Sequence, residues 1–322
     1  MGFYFFILMI SLDLATLHLS YYSDYYLEHR FALSTQNITD WWKDQGKSFL
    51  ISLILGVLFV EILYWMLRTS PELWWAYTAM IFTLIFIVMA NLAPVVLMPI
   101  FFTFTPLKDE RLRERLLKLS HDAGTSVKEV YEMDLSRRSK TANAALAGLG
   151  NTRRIILSDT LIQQFSGDEI EVVLAHELGH HKYHHIWKLI AVQTVVTIAA
   201  LYATFHTVRA GVSFFEFRGV EDIASLPLIL LIITLVSLFS LPLANLYSRR
   251  LEYMADHYAL GATGNSQAFI TAMEKLAKMN LAEIDPHPVI EFLFFSHPSI
   301  QKRIEHARGF LRGNQMNPAT VS

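Results

Sequence analysis

Residues 171–185 read EVVLAHELGHHKYHH and hold five of the chain's thirteen histidines. Within them, His176-Glu177-Leu178-Gly179-His180 has the pattern H-E-x-x-H. Just upstream, Ser166-Gly-Asp-Glu169 is a capping-box sequence, in which two side chains satisfy free N–H groups at a helix start. The spacing predicts a helix that begins there and runs through the histidines. Residues four apart share a helix face, so His176 and His180 can reach one metal ion. Glu177 is offset toward the position a catalytic zinc leaves open, where a carboxylate can take a proton from water. A solvated, histidine-rich helix would carry the same five letters, so the surroundings must decide.

Of the 322 residues, 53% are hydrophobic and 17% charged, which is too apolar for a typical soluble domain. A helix needs about 20 apolar residues to cross a bilayer core. Residues 48–67 (SFLISLILGVLFVEILYWML) reach that length, as do 74–101, which Pro94 and Pro99 can bend. Further spans are expected near 187–207 and 225–247. Residues 3–12 are wholly apolar until Asp13 interrupts them. Lacking a basic leading segment and a small-residue cleavage site, they read as a shortened fifth span and not as a signal peptide. The start MGFYFF also lacks the Ser or Thr of a myristoylation signal. The chain is therefore expected to be an integral, multi-pass protein of the lipid bilayer.

Cysteine is absent, which excludes disulfides, thiolate metal sites and a cysteine nucleophile. Any metal must be held by histidine and carboxylates. With five spans, segments 22–47, 102–185 and 248–322 share one side of the membrane. They contain every Lys and Arg except Arg68, Lys188, Arg209 and Arg218. That bias predicts a cytoplasmic location for the polar segments, at a bacterial inner membrane or, in a eukaryote, at the endoplasmic reticulum.

The chain is expected to divide into an N-terminal transmembrane region (1–101, three spans, the first short), a polar part with the H-E-x-x-H helix (102–185), a transmembrane hairpin (186–247) and a second polar part (248–322). The two polar parts are interleaved with the spans and read as one composite domain. Residues 109–121 have helical spacing. Residues 142–149 and 153–158 flank Gly150-Asn151-Thr152, a hairpin signal. Gly148-Leu149-Gly150 lacks the strand-to-helix context of a phosphate loop, so no nucleotide is expected, and no nucleic acid either. After Pro242, SRRLEYMADHYALG is helical in composition, with Gly261 as the expected stop. Residues 266–280 and 299–312 are amphipathic.

A catalytic zinc needs a third protein ligand. Glu252-Tyr-Met-Ala-Asp256 places two carboxylates on one helix face. Glu252 can ligate the metal, and Asp256 can accept the ring N–H of a ligating histidine and fix its tautomer. A surface charge pair is the plain alternative. Its return on the same membrane side as the H-E-x-x-H helix weighs against that.

Several blocks now stand in order: SYYSDYYLEHRFALSTQ, PIFFTFTPLKDERLRER, Ser136-Arg-Arg-Ser-Lys140 leading to Asn143-Ala144, RRIILSDTLI, HELGHH, SRRLEYMAD and SHPSIQKRI. Together they resemble the type 1 CAAX prenyl proteases, integral-membrane zinc metalloendopeptidases of the gluzincin group. The resemblance implies a mainly α-helical polytopic membrane protein with a zincin-like α+β catalytic domain, helices plus a small β-sheet, interleaved with the transmembrane helices. It implies one Zn²⁺ per chain on His176, His180 and Glu252, with Glu177 as the general base. It also implies that His297 donates to the developing oxyanion, and that Asn143 and Ala144 lie in a strand beside the cleft where a peptide can add by main-chain hydrogen bonds. The substrate implied is a peptide or protein with a prenylated CAAX end. A quality-control protease of the stress-induced type is the alternative activity, and a membrane scaffold or channel with a vestigial zinc site is the alternative class.

Other residues divide more plainly. His181 and His184 match no family histidine and read as solvated, whereas His185 does match one but has no chemistry assigned. Arg303 is left outside the catalytic set, being open to a nearby carboxylate or to solvent. Glu61, an intramembrane carboxylate, is open to water or to a neighbouring helix. Two departures are visible. The family ordinarily has seven spans and at most five are legible here, which suggests a member lacking N-terminal spans or a true start upstream. The family's Asn-Ala is usually followed by an aromatic, whereas Ala145 and Leu146 follow here.

Overall fold

Capping residues and proline positions set most helix boundaries in this chain. The computed structural model describes residues 2–148 and 153–316, so the expected turn at Gly150-Asn151-Thr152 lies outside the described residues. In chain order the main elements begin with α1 (Gly2–Ser20), α2 (Ile38–Thr69), α3 (Trp74–Leu92), β1 (Phe104–Pro106), α4 (Glu110–Asp122), β2 (Glu129–Met133), β3 (Ala144–Ala147) and β4 (Arg154–Ser158). They continue with α5 (Asp159–Gln164), α6 (Gly167–Lys182), α7 (His185–Phe214), α8 (Leu226–Thr263), α9 (Ser266–Met279), α10 (Pro288–Phe294) and α11 (Ile300–Met316). Two units result, one of Met1–Phe31, Gln36–Met89 and Leu189–Leu241, the other of Ala32–Thr35, Ala90–Lys188 and Pro242–Ser322.

The first unit is helical. Five helices among the described residues are long and apolar enough to cross a membrane: Gly2–Arg30, Ile38–Thr69, Trp74–Phe101, His185–Phe214 and Ile223–Thr263. The first, expected to be short, runs for 29 residues through a π-helical turn at Tyr21–Leu27. Asp13, exposed, lies within it without interrupting the helix. The third runs through a π-helical stretch, Ala93–Leu97, around Pro94, which has no N–H for the α-helical ladder. Tyr64, Leu67, Trp74, Leu201, Val208 and Ile229 form the buried centre of the unit. Leu84, Val195 and Phe239 stay exposed on outward faces, as lipid-facing side chains do.

Glu61 resolves toward a neighbouring helix. Its Oε1 accepts the N–H of Gly2 at 2.7 Å. A carboxylate there satisfies a free donor at the N-terminus of α1, where the helix dipole favours negative charge.

The second unit is α+β. Its four-stranded sheet has the order β1-β2-β4-β3, with β2 and β4 parallel and the other pairs antiparallel. Ile155, Ile156 and Leu157 of central β4 are buried, the continuous apolar run expected of a strand covered on both faces. β3 pairs antiparallel with β4, Ala144 opposite Leu157 and Ala147 opposite Arg154, so the two flanks of the expected hairpin do meet. Among the described residues no other strand pairs with β3, leaving it at the sheet edge.

The helices of this unit start where their caps dictate. Asp109 accepts from the N–H of Leu112 to open α4. At α6 the capping box is complete: Ser166 accepts from the Glu169 N–H, and Glu169 accepts from the Ser166 N–H. Gly261 is not the stop of α8, because it remains helical; the helix ends at Thr263 and Gly264 follows at φ +61°. Both glycines suit a helix end, but the one that takes the left-handed conformation is the terminator.

Candidate active site

The H-E-x-x-H helix α6 and the E-x-x-x-D helix α8 meet at Gly179. A Cβ at that position would lie 3.0 Å from Ala255 Cα and 3.2 Å from Tyr258 Cβ. The backbones approach this closely because one residue has no side chain and the facing one is alanine, itself fully buried. Glycine inside a helix costs roughly 1 kcal/mol relative to alanine, so its presence in mid-helix was the available signal for a packing contact. Counted only as an "x" of the motif, it passed unnoticed. Gly179→Ala is expected to push the helices apart, an overpacking that costs about 1–3 kcal/mol. Because a misplacement of about 1 Å can lower a rate about 10²-fold, activity should fall on that scale in a protein that still folds. Peptide hydrolysis measured beside circular dichroism checks this.

Across that contact His176, His180 and Glu252 converge, with one donor atom from each lying within 4.8 Å of the others. His176 Nε2 and His180 Nε2 are 3.0 Å apart. Glu252 Oε1 is 3.3 Å from His180 Nε2, and Oε2 is 3.4 Å from His176 Nε2. Ligand bonds of about 2.0–2.2 Å in a tetrahedral site imply ligand–ligand separations of about 3.3 Å. Glu252 is 5% exposed, and its Oε2 is buried with no hydrogen-bond partner among the described residues. Such an orphan is costly unless something satisfies it. The donor set is nitrogen and oxygen only, which suits zinc. The residues fit a metal.

The outer nitrogens of the two imidazoles are also engaged. His176 Nδ1 lies 2.8 Å from Asp256 Oδ1. Asp256 is fully buried and is gripped by Arg303, whose Nε and Nη2 donate to its two oxygens at 2.9 and 2.6 Å. Arg303 is thus 8% exposed and paired, not spread on a solvated helix face. A buried guanidinium and carboxylate joined by two bonds offset each other's charge and hold Asp256 rigidly. His180 Nδ1 lies 2.8 Å from His185 Nδ1. His184 is exposed and His181 partly exposed, whereas His185 is buried.

Glu177, His176, His297, Arg303, Asn143 and Ala144 line one cleft of about 160 Å³. Burial pushes the Glu177 carboxyl above the usual carboxylate range. Val172, Phe269 and Met273 add an apolar wall. His297 Nε2 is 3.4 Å from Glu252 Oε1, and its Nδ1 is 2.9 Å from Ser296 Oγ. Its side chain is 61% exposed, facing the cleft from the segment before α11. On the opposite side, the Asn143 N–H donates to Ser158 Oγ at 2.9 Å and its carbonyl accepts from the Ser158 N–H, which tethers the start of edge strand β3 to β4.

The model of peptidase family M48 matches residues 106–311, the stretch that contains every one of these side chains. The chain belongs to peptidase family M48. It is a metalloendopeptidase of the membrane, and peptides or proteins are its substrates. A second model, the CAAX prenyl protease N-terminal region with five membrane helices, matches residues 2–103, where this M48 protein has three candidate spans. The uncharacterized metalloprotease YhfN of Bacillus subtilis is 32% identical over 306 residues, covering 94% of this chain and 72% of its own. The CAAX prenyl protease 1 homolog of Oryza sativa is 32% identical, covering 92% and 70%. The crystal structure of S. mikatae Ste24p superposes with a TM-score of 0.86 at 28% identity, covering 94% of this M48 chain and 74% of that one.

Proposed function

We propose that this protein is a zinc-dependent endopeptidase working at the cytoplasmic face of its membrane, with prenylated CAAX C-termini as its substrate class. The carrying observation is the cluster of two imidazole Nε2 atoms and a buried carboxylate oxygen, unpartnered among the described residues, next to Glu177, which shares a cleft with His176. His176, His180 and Glu252 would hold the zinc. When bound, zinc polarises the scissile carbonyl and makes water a stronger acid. Glu177 takes the proton of the attacking water on its carboxylate and delivers it to the leaving amine nitrogen. Edge strand β3, starting at Asn143-Ala144, aligns the substrate main chain by strand addition. Asp256 orients His176 through its Nδ1–H. The substrate class is supported by relatives that carry the name CAAX prenyl protease 1.

The test uses the whole protein in detergent or nanodiscs, loaded with zinc. A farnesylated CAAX peptide and its unprenylated twin are compared, with and without a chelator. Cleavage is expected for the prenylated peptide and should stop on metal removal. Equal cleavage of both peptides, and of unrelated membrane segments, would instead identify a quality-control protease.

His297 is proposed as a donor to the oxygen that becomes negative, not as a ligand. Losing a donor that acts only as charge develops lowers turnover by about 10²–10³-fold. His297→Ala should therefore keep its zinc and its KM while kcat falls on that scale. Elemental analysis beside kinetics on one peptide decides: lost zinc makes His297 a ligand, and unchanged kcat makes it structural.

A further inference from the structure

His185 stands outside the ligand set, yet its ring is buried, 1% exposed, directly behind His180. Its Nδ1 lies 2.8 Å from His180 Nδ1, with the two rings at 77° and their centroids 5.0 Å apart. Two like nitrogens at that distance form a hydrogen bond only when one carries the proton and the other does not.

From this we infer that His185 is a positioning residue, a neutral imidazole acceptor that fixes the tautomer and the orientation of His180. The inference rests on the proposed ligand role of His180 Nε2. That nitrogen faces His176 Nε2 at 3.0 Å and must be unprotonated to hold a metal. The proton of His180 then sits on Nδ1 and points at His185 Nδ1, which accepts it. His185 in turn carries its own proton on Nε2. That atom is buried and has no hydrogen-bond partner among the described residues. The reverse arrangement, with His185 as donor, would put the His180 proton on Nε2, inside the ligand cluster, where it would block the lone pair.

The backbone is shaped to make this contact. Five residues along an unbroken helix turn a side chain about 140° away from its starting direction. The chain instead leaves α6 through Tyr183 and His184, and His184 has φ +54°. A residue with a side chain pays a steric penalty in that left-handed region, so the packing around it must enforce it. The Tyr183 N–H bonds back to Gly179 O at 3.1 Å and the His184 N–H to His181 O at 3.1 Å, which closes α6. Helix α7 then starts at His185, and the Tyr183 ring stacks on His185 at 5.8 Å and 24°. The two ligand histidines are thereby supported differently: His176 by a carboxylate, His180 by an uncharged ring. Support of His180 without added negative charge leaves the bound cation more electrophilic than a second carboxylate would.

Purified full-length protein tests this in two ways. In the first, zinc affinity is measured by competition with a chromophoric chelator for His185→Phe, which keeps a ring but no acceptor, and for His185→Gln, whose amide oxygen can accept. His185→Phe is expected to weaken zinc binding by about 10–100-fold, and His185→Gln to recover most of that loss. In the second, nitrogen chemical shifts of ¹⁵N-histidine-labelled, zinc-loaded wild type report the tautomers, so the result does not depend on a variant folding. His180 should be the Nδ1–H form and His185 the Nε2–H form. Wild-type affinity in folded His185→Phe, or a proton on Nδ1 of His185 in the zinc-loaded protein, overturns the inference. His180→Ala separates the two levels: if it retains stoichiometric zinc, the ligand assignment itself has failed.

Discussion

Glu177→Gln protein is expected to bind zinc as wild type does and to hydrolyse its substrate about 10²–10⁴-fold more slowly, the usual contribution of a positioned general base. The glutamine keeps the side-chain shape, so the cleft between β3 and α6 keeps its lining. It removes the oxygen that takes a proton from water and returns it to the amine. Nearby groups do not replace it: His176 and His180 present their Nε2 atoms to each other, and Asp256 is bound by Arg303. The measurement is single-peptide turnover beside zinc stoichiometry. A rate within about tenfold of wild type would falsify the assignment.

The paired substitution His176→Ala/His180→Ala should remove both metal and proteolysis. Glu252 alone is left of the proposed ligands, and a single carboxylate does not hold zinc against a chelator. Its buried Oε2, which has no hydrogen bond among the described residues, then loses the imidazoles as neighbours as well. The variant is expected to be less stable than wild type, since an unpaired buried charge is strongly destabilising. Elemental analysis and thermal unfolding of the purified double variant check the two halves. Stoichiometric zinc in that protein would place the metal elsewhere.

Local rules made much of this molecule legible. The capping box at Ser166 and the apolar spacing behind it define α6 within a dozen residues, so the helix and its two facing imidazoles could be read directly. The spans could be read from length and composition. Glu252 and Asp256 were accessible for the same reason, as one helical repeat. What escaped depends on distant backbone. The parallel pairing of β2 with β4 places β3 at the edge and joins strands that are not successive in the chain. Arg303 meets Asp256 from another helix, α11, and nothing in SHPSIQKRI announces which carboxylate it will find. Gly261 and Gly264 are both plausible helix stops, and only the φ angle separates them. His185 was the hardest. The turn that aims it uses a left-handed histidine where sequence reasoning looks for glycine or asparagine, and a helix read straight through the histidines gave His185 no role.

The separation along the chain of the two helices that carry the proposed ligands bears on how the enzyme is made. On the proposed ligand set, His176 and His180 leave the ribosome before the helices His185–Phe214 and Leu226–Thr263 have been synthesised. A nascent chain at that stage offers two imidazoles and no Glu252, and α6 has no Ala255 for Gly179 to meet. Zinc acquisition on that ligand set would therefore wait until the transmembrane hairpin and Glu252 beyond it have been translated. On that ligand set, proteolytic capacity follows from synthesis past Glu252 and is absent from any shorter nascent chain.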